Sequence, residues 1–126
     1  MKYKRFEELP IWQESMKLTK IVYDLSGNSK WNKDFKLRDQ IRGALIGISS
    51  CIVEGFEKNN NNEFIRFLRM SKGSVGEVRN QLHIALIAGY ITDLEFNESN
   101  KQFEQLGSQI GGFMVYLDNF RKDKRN

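Results

Sequence analysis

The sequence predicts an all-α protein, an antiparallel up-down-up-down four-helix bundle that forms a single domain over residues 1–126. Three observations support this fold class. Apolar residues recur every three or four positions through four segments, as they do on one face of a helix. No stretch alternates polar and apolar residues in the manner of a strand. Short polar loops join the four segments, so consecutive helices are expected to lie side by side and antiparallel.

Helix 1 is predicted over residues 9–26, with Pro10 in its first turn, where the missing N–H costs nothing. Its apolar residues follow two tracks at helical spacing, so more than one side of the helix is apolar. The first track is Ile11, Leu18, Val22 and Leu25, and the second is Trp12, Met16, Thr19 and Tyr23. Residues 27–33 break the pattern and predict a loop.

Helix 2 is predicted over residues 37–57. Its main apolar face consists of Leu37, Ile41, Leu45, Ile48 and Ile52. Gly43, Gly47 and Ser50 share a different strip of the helix. Because each interior glycine costs about 1 kcal/mol relative to alanine, the two glycines predict that another backbone approaches helix 2 closely along this strip.

Helix 3 is predicted over residues 61–89 and begins with a capping-box pattern of Asn60 and Glu63. Seam residues then alternate by four and three positions, the spacing of a near-antiparallel bundle. The seam is Phe64, Leu68, Ser71, Val75, Val78, Leu82 and Ala85. Gly89 follows it and can end the helix.

Helix 4 is predicted over residues 93–121, after a second capping-box pattern of Thr92 and Glu95. Gly107 and Gly111 form another strip where close approach is expected, and a basic tail follows at residues 121–126. The seam is Phe103, Leu106, Ile110, Phe113, Leu117 and Phe120. Helices 1, 2 and 4 carry more apolar surface than one bundle core can use, which predicts a homo-oligomer.

Length and composition narrow the class of protein. A chain of 126 residues can bury roughly two-thirds of the surface that its unfolded form exposes. One cysteine and one histidine allow neither a disulfide nor a zinc site, so we expect no metal and no cofactor. The longest apolar run, residues 44–53, is about half the length that spans a bilayer. Residues 1–5 are basic but precede Phe6-Glu7-Glu8 rather than a hydrophobic signal core, which predicts a cytoplasmic protein without a membrane partner.

No catalytic constellation is found, so we expect no enzyme. The glycine-rich segment 73–77 lacks a Gly-Lys-Ser/Thr sequence, a Gly-x-Ser-x-Gly sequence and a preceding strand. Cys51 lies among apolar residues, which raise rather than lower the pKa of a thiol. Glu54, Glu63 and Glu77 are expected in ion pairs or at helix ends rather than around a metal.

The best functional signal is a row of basic side chains on helix 3. At 100° per residue, Arg69, Lys72, Arg79 and His83 fall within an arc of about 80° beside the seam, with Arg66 a little outside. Such a row could bind the phosphates of RNA or DNA through salt-sensitive contacts. The alternative is a solvated row, or one paired with helix 4, because residues 93–118 carry a net charge of −4.

Six motifs along nearly the whole chain resemble those of one family of small bacterial four-helix bundles. The family includes proteins encoded by intervening sequences within 23S ribosomal RNA genes and accessory variability proteins of diversity-generating retroelements. The motifs are Phe6-x-x-Leu9 with Trp12, Leu37-x-x-Gln40-Ile41-Arg42-x-Ala44, Ile48 through Ile52-Val53-Glu54-Gly55, Glu63-Phe64-x-Arg66-Phe67-Leu68, Gly73-Ser74-x-x-Glu77, and Gly89-Tyr90-Ile91. Departures are Cys51 where the family usually has asparagine, Val53 where it has alanine, and Gly43 where a second arginine is frequent.

The resemblance implies a homopentameric, barrel-like assembly of bundles. For the retroelement branch it also implies binding of a reverse transcriptase and of nucleic acid through a basic surface. The motif residues that we interpret as structural are Gln40, Arg42, Glu54, Gly55, Glu63, Gly73 and Glu77.

Two functional hypotheses follow from the residues and the resemblance. The first is a non-enzymatic accessory protein that binds RNA or DNA through Arg66, Arg69, Lys72, Arg79 and His83 together with the basic termini. The second is a protein-interaction scaffold whose basic faces serve subunit contacts or a protein partner.

Overall fold

The computed structural model describes the backbone of residues 1–125 and the side chains of residues 1–120. Within this part of the chain the regular secondary structure is helical throughout, which confirms the predicted all-α class. Short 3-10 helices occur at Phe6–Glu8 and Trp31–Lys33. The long helices are α1 (Pro10–Ser26), α2 (Phe35–Glu57), α3 (Asn61–Ile87) and α4 (Asp93–Arg125). The side chains of the predicted basic tail at 121–126 lie outside the described residues.

Side-chain caps fix where α3 and α4 begin. Asn60 accepts a hydrogen bond of 3.0 Å from the backbone N–H of Glu63. The Glu63 carboxylate accepts from Arg66 in the next turn at 2.7 Å. At the start of α4 the box is reciprocal, because Thr92 Oγ1 accepts from the Glu95 N–H at 3.1 Å and the Glu95 carboxylate accepts from the Thr92 N–H at 2.9 Å.

The core runs along the length of the bundle. Each α-helix packs on its neighbours in the chain, and α1 also packs on α4. Every residue of the predicted helix 3 seam is buried, as are Phe103, Leu106, Ile110 and Leu117 of the helix 4 seam. Phe113 is half-buried and has its ring 5.5 Å from that of Phe64. The four-helix arrangement expected from the seams is therefore present.

The α2–α3 contact is the tightest part of the bundle. Gly55 is buried, and a Cβ at this position would lie 2.8 Å from both Phe64 Cδ1 and Phe67 Cβ. Farther along, Ser71 Oγ donates a buried hydrogen bond of 2.8 Å to the Ile48 carbonyl. These pairs run in opposite directions along the two helices, so α2 and α3 are antiparallel.

The glycine strip of α2 behaves differently from the prediction. A Cβ at Gly47 would lie 3.1 Å from Ser74 Oγ, so close approach does occur there. At Gly43, a Cβ would meet no atom within 4 Å. The prediction of a neighbouring backbone at Gly43 is therefore wrong within the described chain, because this part of the strip lies on the exposed face of α2.

A hydrogen-bonded cluster closes the opposite end of the bundle. The Asp34 carboxylate accepts from the Leu37 N–H at 3.1 Å and from the Tyr90 hydroxyl at 2.8 Å. The Asn28 side chain donates to the Tyr90 carbonyl at 2.8 Å, and the ring of buried Trp31 stacks on that of Tyr90. The loop between α1 and α2 is thus tied to the turn between α3 and α4.

We expect Gly55→Ala to lower the free energy of unfolding by about 1–3 kcal/mol, because its methyl group would overlap two phenylalanine side chains. Gly112→Ala is the matched control, since a Cβ at that helical position meets no atom within 4 Å. The control should raise stability by about 0.5–1 kcal/mol. Urea unfolding of both variants measures the difference, and equal effects would contradict the close α2–α3 contact.

We expect Tyr90→Phe to destabilise the protein at pH 7 and to do so less at both pH extremes. Hydrogen bonds from the Leu37 N–H, and then from Tyr90, hold the pKa of Asp34 below its usual range. The bond to Asp34 raises the pKa of Tyr90. The Asp34 contribution is present above its unfolded pKa of about 3.9 and is lost as pH falls through the lower folded value. The Tyr90 contribution is present below about pH 10 and is lost as pH rises through the higher folded value.

Urea unfolding from pH 2.5 to 11 measures this loss of stability relative to the unsubstituted protein. The difference should narrow below about pH 4 and above about pH 10. Tyr116→Phe, at an exposed tyrosine, is the control and should show no such narrowing. A constant difference across the whole range would show that the hydroxyl–carboxylate bond does not contribute.

Candidate nucleic-acid interface

The basic row of α3 borders a surface channel, which we call the α3–α4 groove. Small residues of α4 shape its floor. A Cβ at Gly107 would lie 3.7 Å from Val75 Cγ1, and one at Gly111 would lie 3.3 Å from Lys72 Nζ. Close approach is thus present at Gly111, whereas the contact at Gly107 is an ordinary one, and at both glycines the neighbour is a side chain rather than a backbone.

Arg69 and Lys72 are the groove cations that remain available to bind a ligand. Both are exposed, and among the described side chains neither forms an ion pair. They line the part of the groove nearest the α2–α3 turn, which has a volume of about 600 Å³. Its lining consists of Asn62, Ile65, Arg69, Lys72, Gly111, Met114, Val115 and Asp118.

Arg79 and His83 lie farther along the row and contact α4. Arg79 Nε donates to Asn100 Oδ1 at 3.0 Å, and its Nη2 lies 3.3 Å from Glu104 Oε1. The His83 ring lies 4.6 Å from that of Phe96, centroid to centroid. Arg79 is therefore paired with helix 4, as the alternative interpretation of the basic row predicted, whereas Arg69 and Lys72 are not.

Arg66 is held on its own helix. Its Nε donates to Glu63 Oε2 at 2.7 Å, and its guanidinium carbon lies 4.7 Å from the centre of the Phe67 ring. It does not line the α3–α4 groove. The five predicted nucleic-acid-binding residues thus divide into two unpaired groove cations and three side chains with contacts within the protein.

Arg42 shows what one of the motif residues does. Its Nε donates to Ser26 Oγ at 3.0 Å, and its Nη2 donates to the Tyr23 carbonyl at 3.2 Å. The guanidinium also lies over the Tyr23 ring, 4.6 Å from its centre. A cation bonded to the last carbonyls of a helix is favoured by the helix dipole, so Arg42 fastens the end of α1 to α2.

The remaining motif residues are exposed on α2 and α3. Gln40 and Glu77 line a shallow depression between the two helices, and Glu77 forms no ion pair within the described residues. Glu54 is exposed on α2, and a Cβ at Gly73 would meet no atom within 4 Å. Of the three carboxylates expected in ion pairs or at helix ends, Glu63 forms an ion pair among the described side chains, and Glu54 lies in the last turn of α2.

A family comparison matches residues 7–112 to the family described as 23S rRNA-intervening sequence protein. The chain belongs to this family. The match confirms the family recognised from the motifs. Comparison with curated proteins gives no match.

A similar solved structure is that of a protein with unknown function from the S23 ribosomal protein family of Bacteroides thetaiotaomicron. The two chains are 20% identical. The alignment covers 82% of this chain and 97% of the other, with a TM-score of 0.74. At this identity the likeness establishes a shared fold. Because that protein is described as having unknown function, it suggests no substrate or activity for this chain.

The surroundings of Cys51 disfavour a reactive thiolate in this member of the intervening-sequence family. Burial raises the pKa of the Cys51 thiol, and the nearby Glu54 carboxylate raises it further, so thiolate formation is disfavoured. In the part of the chain that the structure describes, no three histidine, cysteine or carboxylate side chains come together to hold a metal ion. None of the described helices is long and apolar enough to cross a membrane.

We expect Arg42→Gln to lower the free energy of unfolding by about 1–3 kcal/mol, because the shorter neutral side chain loses two charge-assisted hydrogen bonds and the packing on Tyr23. Lys36→Gln removes the same charge from an exposed position of α2 and should change stability by less than about 0.5 kcal/mol. Urea unfolding compares the two. Equal small effects would show that Arg42 does not fasten α1.

Proposed function

We propose that the protein is a non-enzymatic, cytoplasmic RNA-binding accessory protein, and that Arg69 and Lys72 bind the RNA phosphates. The observation that carries the proposal is the pair of exposed cations in the α3–α4 groove, which make no ion pair among the described side chains. The N-terminal segment adds the basic residues Lys2, Lys4 and Arg5, of which Arg5 is paired with Glu7.

An unpaired cation is a better phosphate ligand than a paired one for a simple energetic reason. Arg79 would have to leave Asn100 and Glu104 before it bound a phosphate, whereas Arg69 and Lys72 would lose only water. Binding of this kind releases counterions and weakens steeply as salt increases. The groove is therefore suited to polyanions, and its few charges favour low sequence specificity.

Family membership favours RNA over DNA as the polyanion, because the family description refers to 23S ribosomal RNA. A reverse transcriptase partner and a pentameric assembly follow from the resemblance to retroelement proteins and stay predictions. Self-association has independent support in large apolar side chains that remain exposed on α2, α3 and α4. These include Ile46, Met70, Ile84, Ile87, Leu94 and Val115.

The same apolar surface supports the second candidate function, a protein-interaction scaffold. Ile87 is 86% exposed and Leu94 is 67% exposed, and a single chain gains nothing from leaving them in water. In a scaffold, the groove cations would bind another subunit or a protein partner. Reversing the charge of the groove would weaken RNA binding if the first function holds, and would weaken assembly or binding of a protein partner if the second holds.

We expect the double variant Arg69→Glu/Lys72→Glu to bind RNA at least tenfold more weakly at low salt. For each phosphate that the variant no longer neutralises, the slope of log affinity against log salt should also become shallower by about 0.7–0.9. Fluorescence anisotropy with a labelled fragment of 23S ribosomal RNA measures both quantities. Light scattering on the same samples reports the mass of the assembly.

The control is Lys17→Glu/Lys36→Glu, which changes net charge by the same amount at two exposed positions outside the groove. It should retain most of the affinity. Equal weakening in both double variants would show that only net charge matters. A smaller assembly mass in the groove variant, with RNA affinity absent or unchanged, would favour the scaffold.

A further inference from the structure

A concave site lies at the end of the bundle, beside the α2–α3 turn. This end cavity has a volume of about 750 Å³, within the range of small-ligand pockets. The N-terminal segment and the run of asparagines at 59–62 both border it. The residues that matter here are Tyr3, Lys4, Phe56, Asn59, Asn61 and Asn62.

Two of the asparagine amides are available for a ligand. The side chain of Asn60 is used as the cap of α3, where it accepts from the Glu63 N–H. The side chains of Asn59 and Asn61 make no hydrogen bond among the described residues. An amide offers donors and an acceptor together, which is the combination that the edge of a nucleobase presents.

Aromatic side chains border the same cavity. Tyr3 and Phe56 are half-buried, so each keeps part of its surface exposed. Their positions are fixed by other rings, because Phe56 packs edge-on against Phe64 at 6.0 Å and Tyr3 lies 6.1 Å from Phe113. Fixed aromatic rings beside unpaired amides are the usual elements of single-stranded RNA recognition.

The end cavity continues into the α3–α4 groove. Asn62 lines both, and Arg69 lies two turns of α3 farther along, in the groove. A strand whose phosphates bound Arg69 and Lys72 could therefore place a neighbouring base at the end of the bundle.

We propose that the end cavity binds an unstacked nucleobase of single-stranded RNA, with Asn59 and Asn61 bonded to its edge and Phe56 against its face. This inference rests on the proposed function, because the groove supplies the phosphate-binding cations. The cavity itself contributes one basic side chain, Lys4, and one acidic side chain, Glu57, so it is not a phosphate site and a phosphate alone would use little of its lining. The amides and rings would then have no role in binding.

The test compares two labelled octamers of equal charge, a mixed-sequence RNA and an abasic ribose-phosphate chain. On the unsubstituted protein we expect the base-carrying octamer to bind about tenfold more tightly, the effect of one stacked base. Phe56→Leu should reduce this ratio to below about threefold and leave the abasic affinity unchanged. Arg69→Glu/Lys72→Glu should weaken both octamers by the same factor and preserve the ratio.

Phe35→Leu is the matched control, because Phe35 is 65% exposed near the opposite end of the bundle and does not line the cavity. It should leave the ratio at its original value. Thermal unfolding checks that each variant is folded. As a measurement without substitutions, photo-cross-linking of an octamer containing 4-thiouridine should give adducts at residues that line the end cavity.

The outcomes separate this inference from the proposed function. No binding of either octamer at low salt would overturn both. Equal affinity for the two octamers would overturn the cavity proposal and leave the groove as a phosphate site. A similar fall in the ratio for Phe35→Leu, or adducts confined to other surfaces, would also overturn the cavity proposal.

Discussion

The close contact between α2 and α3 determines where the other elements lie. Gly55 has no side chain, and the ring of Phe64 and the Cβ of Phe67 occupy the space that a Cβ would need. This fixes the register of the two helices, and in that register Ser71 reaches the Ile48 carbonyl and Ser74 meets Gly47. With α3 held at this rotation, its seam faces the core, and Arg69 and Lys72 lie toward α4.

The two ends of the bundle are held together by different contacts. At one end, Asp34 and Tyr90 connect two loops that are 56 residues apart in the sequence. At the other, Asn60 caps α3 immediately after the turn, and the N-terminal segment packs through Tyr3 against Phe113. A fixed N-terminal segment is what gives the end cavity a second wall, so the cavity depends on packing at residues outside the helices.

The fold could be predicted from the sequence because residues on the buried face of a helix recur every three or four positions. The seams of helices 3 and 4 keep this spacing almost without interruption. The site could be predicted only in part. Arg69 and Arg79 lie within one arc of α3, and only the register of α3 against α4 places Asn100 and Glu104 beside Arg79. The helical pattern of α2 likewise cannot show that Gly47 contacts a neighbour while Gly43 does not. The run of asparagines at 59–62 is evident in the sequence. The cavity beside it cannot be predicted in the same way, because it depends on the path of the N-terminal segment.

The motif residues and the groove cations perform different tasks. Arg42 ties α1 to α2, Gly55 leaves room for the side chains of Phe64 and Phe67, and Glu63 pairs with Arg66, so each of these motif residues has a role in the fold. Arg69 and Lys72 lie between the motifs and make no interaction that folding requires of a charged side chain. These two side chains are therefore available to a partner outside the chain. Belonging to the family accounts for the bundle, and the RNA ligand that we propose is argued from the groove and the cavity that continues it.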